Sequence, residues 1–248
     1  MKKYKIIIFS ILGIIVISSF WFSFFFLNKN INIFEKDLFE AGESSDVVIV
    51  FNSGGWGTVS LEKAKDFNPI INEIKRILED NNYKVSIVEY HRTEENIIAK
   101  LGSLKEIIFN FSQSSNFLAE KIESFISNNP ERKIIMAGLS NGASFANSVM
   151  SKIEKNMDNV FSIELGAPFA NYRETNKNIL ELNNETDFLA NGDIKELSFS
   201  VIKAPFVWLY DNIRGESISF FEAMSIKGHN YDWQEVGQEI SSFIKEKI

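Results

Sequence analysis

The chain has 248 residues, no cysteine and a formal net charge of −7 at neutral pH. Its length suits one α/β domain better than two. The absence of cysteine excludes disulfides, thiolate catalysis and cysteine-ligated metal sites. The acidic balance, with no run rich in Lys or Arg, argues against a nucleic-acid partner.

The N-terminal segment is strongly apolar. The run from Ile6 to Leu27 contains no charge and no proline, and as a helix it would be about 33 Å long, enough to cross a bilayer. A cleaved signal peptide is the alternative, but the run is long and ends in bulky residues rather than small ones. We therefore expect a single-pass transmembrane anchor over 1–27. The lysines that precede it, Lys2, Lys3 and Lys5, favour an N-terminus on the inner side of the membrane and a domain on the extracytoplasmic side.

After the anchor, residues 28–45 are polar and mixed, and they predict a linker to a single domain over 46–248. Within that domain, short runs rich in β-branched residues predict strands near 46–51, 83–90, 133–137, 159–165 and 178–182. Apolar residues at helical spacing predict helices near 60–80, 94–128 (in two pieces), 143–155 and 233–247. Strands that alternate with helices predict an α/β fold with a mostly parallel sheet flanked by helices.

One motif lies between the third strand and the next helix: Gly138-Leu-Ser-Asn-Gly142. Such a turn holds its central residue in a strained conformation, and the flanking glycines allow the strand and helix to approach closely. The hydroxyl of Ser140 would then project at the edge of the sheet, beside a helix N-terminus that favours negative charge. Ser140 is the candidate nucleophile, and the alternative is an ordinary strand-to-helix turn.

With this motif in this context, the chain resembles the α/β-hydrolase superfamily, in particular its lipases and esterases. The resemblance covers about 46–248 but identifies no subfamily, and it implies a catalytic triad in the order Ser, acid, His. His229 lies just before the last helix, where the family has its base. His91, the only other histidine, precedes Ser140 and breaks the order, so we expect it to be inert.

The resemblance also implies an acid shortly after the strand near 178–182. Asp187 matches the Asp of an Asn-x-x-Asp turn found there in lipases, and Leu165-Gly-Ala-Pro168 resembles another lipase loop. Asp187 is therefore the predicted acid. The competing carboxylates are Asp193, Glu185 and Glu164.

Acyl transfer also needs two N–H groups that bind the developing oxyanion. The family takes one from the residue after the nucleophile, here Asn141. The other comes from a loop after an early strand, and Ser53-Gly-Gly-Trp-Gly57 occupies that position. The match assigns the second donor to Trp56. Gly54 stands where His is frequent in the family, which leaves this assignment open by one residue.

The segment over about 194–226 is partly apolar, and predicts either a cap over the site or one more core helix kinked at Pro205. The resemblance implies hydrolysis of a carboxylic ester, either a small molecule or a lipid, with no metal and no organic cofactor. Two alternatives remain: an acyltransferase that uses the same triad, and a membrane-tethered binding domain that keeps the fold without catalysis.

Overall fold

The computed structural model describes residues 29–95, 99–100, 106–107, 109–154, 157–169, 174–193 and 228–248, and a few positions between 195 and 215. Within this part of the chain, no helix is both long and apolar enough to cross a membrane. The predicted anchor over 1–27 lies outside the described residues. Most of the predicted cap over 194–226 lies outside them as well.

Five strands form one sheet, and every neighbouring pair is parallel. In chain order they are β1 Val47–Asn52, β2 Val85–Glu89, β3 Lys133–Leu139, β4 Val160–Leu165 and β5 Ile179–Leu182. Their order across the sheet is β2-β1-β3-β4-β5. The predicted α/β class with a parallel sheet is therefore confirmed.

Helices cover both faces of the sheet, which explains why the central strands are mostly apolar. All six residues of β1 are buried, with Val48 and Val50 in one core and Val47, Ile49 and Phe51 in the other. The first core includes residues of α3 Ser112–Asn128 and α4 Asn141–Met150. The second includes residues of α2 Asn68–Asp80 and α6 Trp233–Lys247.

Residues 29–44 form a helix, α1, and not the predicted linker over 28–45. Its residues Ile31, Phe34 and Leu38 are almost fully buried in the first core, and the ring of Phe34 packs edge-on against Tyr90 at 5.4 Å. Burial of such side chains contributes about 1.5–3 kcal/mol each. The apolar positions recur at i, i+3 and i+7, the spacing of one helix face, but charged residues between them make the segment look like a linker.

The predicted helix over 60–80 divides into a short 3₁₀ turn, Leu61–Lys63, and α2. Pro69 lies in the first turn of α2, where a missing N–H costs no hydrogen bond. The first piece of the helical region predicted over 94–128 lies largely outside the described residues, and its second piece is α3. A short helix that was not predicted, α5 Phe188–Asn191, follows β5.

The carboxyl ends of the strands create the place for a site. β1 has β2 on one side and β3 on the other, so the chain order reverses there, and ligands of open α/β sheets bind at such a reversal. The loops that begin after β1, β3, β4 and β5 contain Ser53, Ser140, Gly166 and Asp187 respectively. They all leave the same edge of the sheet because the strands are parallel.

Candidate active site

Ser140 has φ 57° and ψ −124° at the junction of β3 and α4. A residue other than glycine with positive φ is strained by roughly 1–3 kcal/mol, and such strain is concentrated at functional sites. The neighbouring strand supports the conformation, because the backbone N–H of Ser140 donates to the carbonyl of Leu165 at 2.9 Å. The strained serine predicted from the motif is therefore present at the strand-to-helix turn.

The two glycines of the motif allow close backbone approach. A Cβ atom at Gly138 would overlap the backbone of Gly142, and a Cβ atom at Gly142 would overlap the carbonyl oxygen of Asn52. Neither obstacle is a flexible side chain. Glycine is therefore required at both positions so that α4 can begin against the end of β1.

His229 contacts the carboxylate of Asp187, and its Nδ1 lies 2.8 Å from Oδ2. The other carboxylate oxygen caps helix α5 by accepting from the backbone N–H groups of Leu189 at 2.9 Å and Ala190 at 3.1 Å. Tyr231 donates its hydroxyl to Oδ2 of Asp187 at 2.7 Å. Both oxygens of this buried carboxylate are thus held in fixed positions.

Electrostatics keep this carboxylate ionised. Burial acts to raise the pKa of Asp187, but hydrogen bonds from His229 and Tyr231 act in the opposite direction and outweigh it, so the pKa lies below its usual value. Burial also raises the pKa of the Tyr231 hydroxyl, and the hydrogen bond to Asp187 adds to this effect. Tyr231 consequently remains a hydrogen-bond donor throughout the physiological range.

The competing acids are in other environments. Asp193 and Glu185 are exposed. Glu164 is fully buried in β4 and accepts hydrogen bonds from Ser162 at 2.6 Å and Asn147 at 2.9 Å. Of the four candidate carboxylates, Asp187 is the one that the structure brings to His229.

The second histidine contacts a different carboxylate. The side chain of His91 is 42% exposed and lies 3.4 Å from the carboxylate of Glu89. Among the described residues, no group of three His, Asp or Glu side chains could hold a metal ion.

Two further glycines bring the loops of the site together. Gly166, with φ +59°, leaves room for Tyr231, and a Cβ atom there would lie 2.7 Å from the tyrosine ring and 3.0 Å from Oδ2 of Asp187. Gly228, with φ +76°, packs directly on the backbone of Thr186. The loop that carries His229 can therefore lie against the loop that carries Asp187.

The glycine-rich loop after β1 lies beside Ser140. A Cβ atom at Gly54 would lie 3.5 Å from the Cβ of Ser140. The loop turns tightly, with the N–H of Gly57 donating to the carbonyl of Gly54 at 3.0 Å. The side chain of Asn141 donates to the carbonyl of Gly55 at 3.2 Å. The two segments predicted to supply oxyanion donors are thus in contact.

Two residues at this edge were not anticipated from the sequence. Tyr231 is two residues after His229, and its contact with Asp187 joins positions 44 residues apart. Arg92 follows the second strand, where a charged residue is ordinarily solvated. In the sequence, Tyr231 is recognisable only as an aromatic residue close to the candidate base His229. No feature of the neighbouring sequence distinguishes Arg92 from an ordinary solvated arginine.

We expect Tyr231→Phe to lower the free energy of unfolding by about 1–3 kcal/mol at neutral pH, because a carboxylate loses a buried hydrogen bond. The pKa of Asp187 is depressed in the folded state, so its contribution is fully present above the unfolded pKa and lost as pH falls through the folded pKa. The difference in free energy of unfolding between the wild type and the variant should therefore become smaller at acidic pH. Denaturant unfolding at several pH values measures it.

The control for this prediction is Ser148→Ala. The buried hydroxyl of Ser148 donates to the backbone carbonyl of Asn110 at 2.8 Å, and neither of these groups titrates. The free energy of unfolding that this variant loses should not depend on the titration of Asp187. A Tyr231→Phe deficit that stays constant down to strongly acidic pH would contradict the coupling to Asp187.

The sequence matches no protein-family model and no curated protein. The structure is similar to a Trichoderma reesei cutinase in complex with a phosphonate inhibitor, with a TM-score of 0.52, 11% identity and coverage of 89% of each chain. It also resembles an acetylxylan esterase, with a TM-score of 0.49, 12% identity and coverage of 81% of this chain and 97% of the other. The likeness to the cutinase shows that this chain has the α/β-hydrolase fold.

Proposed function

We propose that this protein is a serine hydrolase that cleaves carboxylic esters, with Ser140 as nucleophile, His229 as base and Asp187 as acid. One observation carries the proposal. A buried, ionised carboxylate holds His229 at 2.8 Å, at the same sheet edge where Ser140 has the strained backbone of a nucleophile elbow. A binding domain without catalysis has no need for either feature.

The hydrogen bonds assign the proton positions. Because Nδ1 of His229 donates to Asp187, the lone pair lies on Nε2, which is the atom that a general base uses. Nε2 takes the hydroxyl proton of Ser140 while Oγ of Ser140 attacks the ester carbonyl. Nε2 then gives that proton to the leaving alcohol. A water molecule then attacks the acyl-serine by the same route and releases the carboxylic acid. Asp187 stays ionised and stabilises the imidazolium.

The oxyanion would be bound by the N–H of Asn141 and by the loop over 53–57. The N–H of Asn141 is in the first turn of α4, where backbone donors have no partner within the helix. Trp56 is the second donor expected from the resemblance. The contact between Gly54 and Ser140 supports the N–H of Gly54 as the other candidate in the same loop.

A small-molecule or lipid ester is the proposed substrate. The similar cutinase is bound to a phosphonate inhibitor, and a phosphonate has the tetrahedral shape of the intermediate in ester hydrolysis. The same triad could transfer the acyl group to an alcohol, and the products distinguish the two reactions.

The test is to treat the full chain with a fluorophosphonate probe, map the modified peptide, and measure hydrolysis of a short p-nitrophenyl ester. We expect one probe on Ser140 and release of the carboxylic acid. If an added alcohol captures most of the acyl group as a new ester, the protein is an acyltransferase. If the probe does not react and no ester is cleaved, the proposal is wrong.

We also propose that the predicted anchor over 1–27 holds the domain close to a bilayer and favours esters that reside there. The motivation is the charge-free run from Ile6 to Leu27 together with α1, which is described from residue 29 and is packed on the domain. Because the predicted anchor extends to residue 27, almost no chain is left for a flexible linker, and the domain would lie next to the lipid headgroups.

We expect that removal of residues 1–28 lowers hydrolysis of a bilayer-resident ester by about 10- to 100-fold in liposomes, because the effective concentration of substrate falls. Hydrolysis of a soluble short ester should be unchanged and serves as the control. The truncated chain must keep Ile31, Phe34 and Leu38, since α1 buries them in the core. If truncation leaves the ratio of the two activities unchanged, the anchor only attaches the domain to the membrane, and the preference for bilayer-resident esters is wrong.

A further inference from the structure

Arg92 contacts the loop over 53–57, here called the oxyanion loop, and packs against two aromatic rings that also contact each other. Its guanidinium carbon is 5.1 Å from the ring centroid of Phe111 and 5.6 Å from that of Phe145. Phe111 adopts this position with a left-handed backbone, φ 56°, which is costly for a bulky residue. No carboxylate among the described residues forms an ion pair with Arg92. The surroundings hold a planar cation in one orientation.

The guanidinium donates to carbonyl groups of both segments that would bind the oxyanion. Nη2 donates to Ser53 at 2.7 Å and to Gly55 at 3.2 Å. Nη1 donates to the carbonyl of Asn141 at 3.0 Å. One side chain therefore joins the loop after β1 to the first turn of α4.

Because the peptide bond is planar, these contacts with the carbonyl groups also fix the direction of the N–H groups of the loop. In a trans peptide the carbonyl and the N–H of one unit point in opposite directions. Because the carbonyls of Ser53 and Gly55 face Arg92, the N–H groups of Gly54 and Trp56 point away from it. These are the two candidate donors of the loop. A loop without this support could rotate either peptide and lose the donor.

Gly57 makes room for this arrangement. It has φ +74°, and a Cβ atom there would lie 2.5 Å from Nε of Arg92. The backbone N–H of Arg92 also donates to the carbonyl of Gly57 at 3.0 Å. Glycine is therefore needed at position 57 to leave space for the side chain of Arg92, as well as for the positive φ of the turn.

We propose that Arg92 is a positioning residue that holds the oxyanion loop in its donor-presenting orientation through its planar, forked guanidinium. This inference rests on the proposed function. Burial lowers the pKa of Arg92 to about 10, so the group is still charged at neutral pH. Lysine would keep that charge but has no planar fork to reach several fixed carbonyls.

The experiment compares Arg92→Lys and Arg92→Ala with the wild-type full chain. Loss of one oxyanion donor costs about 10²- to 10³-fold in kcat, and we expect both variants to lose about 10- to 100-fold in kcat. KM should change by less than about threefold, since the loop acts on the transition state. The rate of fluorophosphonate labelling should fall in parallel, because the phosphonyl oxygen occupies the same hole.

Chemical rescue separates positioning from general stability. Guanidinium chloride at low, non-denaturing concentration should restore part of the kcat of Arg92→Ala, and sodium chloride at equal concentration should not. The matched control is Arg132→Lys. Arg132 is also a partly buried arginine, but it pairs with Asp46 at 2.9 Å near the amino ends of β1 and β3, so its variant should keep the wild-type kcat.

The outcomes distinguish this inference from the proposed function. If the wild type reacts and both Arg92 variants react at the same rate, the inference is wrong and the proposed function stands. Full activity in Arg92→Lys alone would show that charge suffices and would overturn the role of the fork. Failure of guanidinium to rescue, with a lowered unfolding temperature, would assign Arg92 to stability alone. A wild type without any reactivity would overturn both proposals.

Discussion

Ser140→Ala is expected to abolish labelling by a fluorophosphonate and to lower kcat for ester hydrolysis by about 10⁴- to 10⁶-fold. The loss is large because, in the proposed mechanism, this hydroxyl forms the acyl-enzyme and is the nucleophile that His229 activates. Activity-based labelling followed by gel fluorescence, together with initial rates on a p-nitrophenyl ester, measures both effects.

The matched control is Ser144→Ala, one turn further along α4. The hydroxyl of Ser144 is buried without a hydrogen-bond partner among the described residues, so its removal should leave activity unchanged and stability equal or slightly higher. Equal labelling of Ser140→Ala and the wild type would contradict the assignment of the nucleophile.

The strained backbone adds a second readout for the same residue. Alanine at 140 keeps the unfavourable φ of 57°, whereas glycine accepts it. We therefore expect Ser140→Gly to be more stable than Ser140→Ala by about 1 kcal/mol, after allowance for the greater entropy of an unfolded glycine. Both variants should be inactive. A less stable glycine variant would show that the serine backbone stores no strain.

The second large effect concerns the base. His229→Ala should lower kcat by about 10⁴- to 10⁶-fold, because base and nucleophile act as one unit and the loss of either removes the same step. The fold should persist, since the Asp187 carboxylate keeps its hydrogen bonds from Tyr231, Leu189 and Ala190. Steady-state kinetics and a circular dichroism spectrum test these two expectations.

His91→Ala is the control that the chain itself provides. His91 contacts Glu89 at the surface, and an exposed contact of this kind contributes about 0–1 kcal/mol even between fully charged groups. We expect a change in kcat of less than about twofold. If His91→Ala lowers kcat as much as His229→Ala does, the assignment of His229 as the base is wrong.

Much of the fold was predictable because its signals are local. The β-branched runs in β1, β3 and β4 are buried on both faces, and that environment selects a mostly apolar sequence. Ser162 and Glu164 of β4 are buried exceptions that hydrogen-bond to each other. The helix spacing in α2 and α6 reflects one face buried in the second core. The strand-to-helix turn at Ser140 was recognisable from its two glycines. Gly138 is required by its contact with Gly142, and Gly142 is required by its contact with Asn52 at the end of the adjacent strand.

Helix α1 shows where local signals fail. Its buried residues are apolar, but the charged residues around them resemble a solvated linker. What makes it a helix of the domain is a surface formed by distant residues, including Tyr90 at 5.4 Å from Phe34 and Lys121, which pairs with Glu35 at 2.9 Å. The sequence near residue 30 contains no information about that surface.

By itself the sequence determined the α/β class and the candidate Ser140, and the family resemblance that the motif around Ser140 carries added the candidate His229. Only the tertiary structure decided which of four carboxylates meets His229, and that Tyr231 and Arg92 belong to the site. The contacts of Asp187 with His229 and of Arg92 with Asn141 join positions 42 and 49 residues apart. Such contacts depend on how parallel strands bring their carboxyl ends to one edge, and no short window of sequence specifies that arrangement.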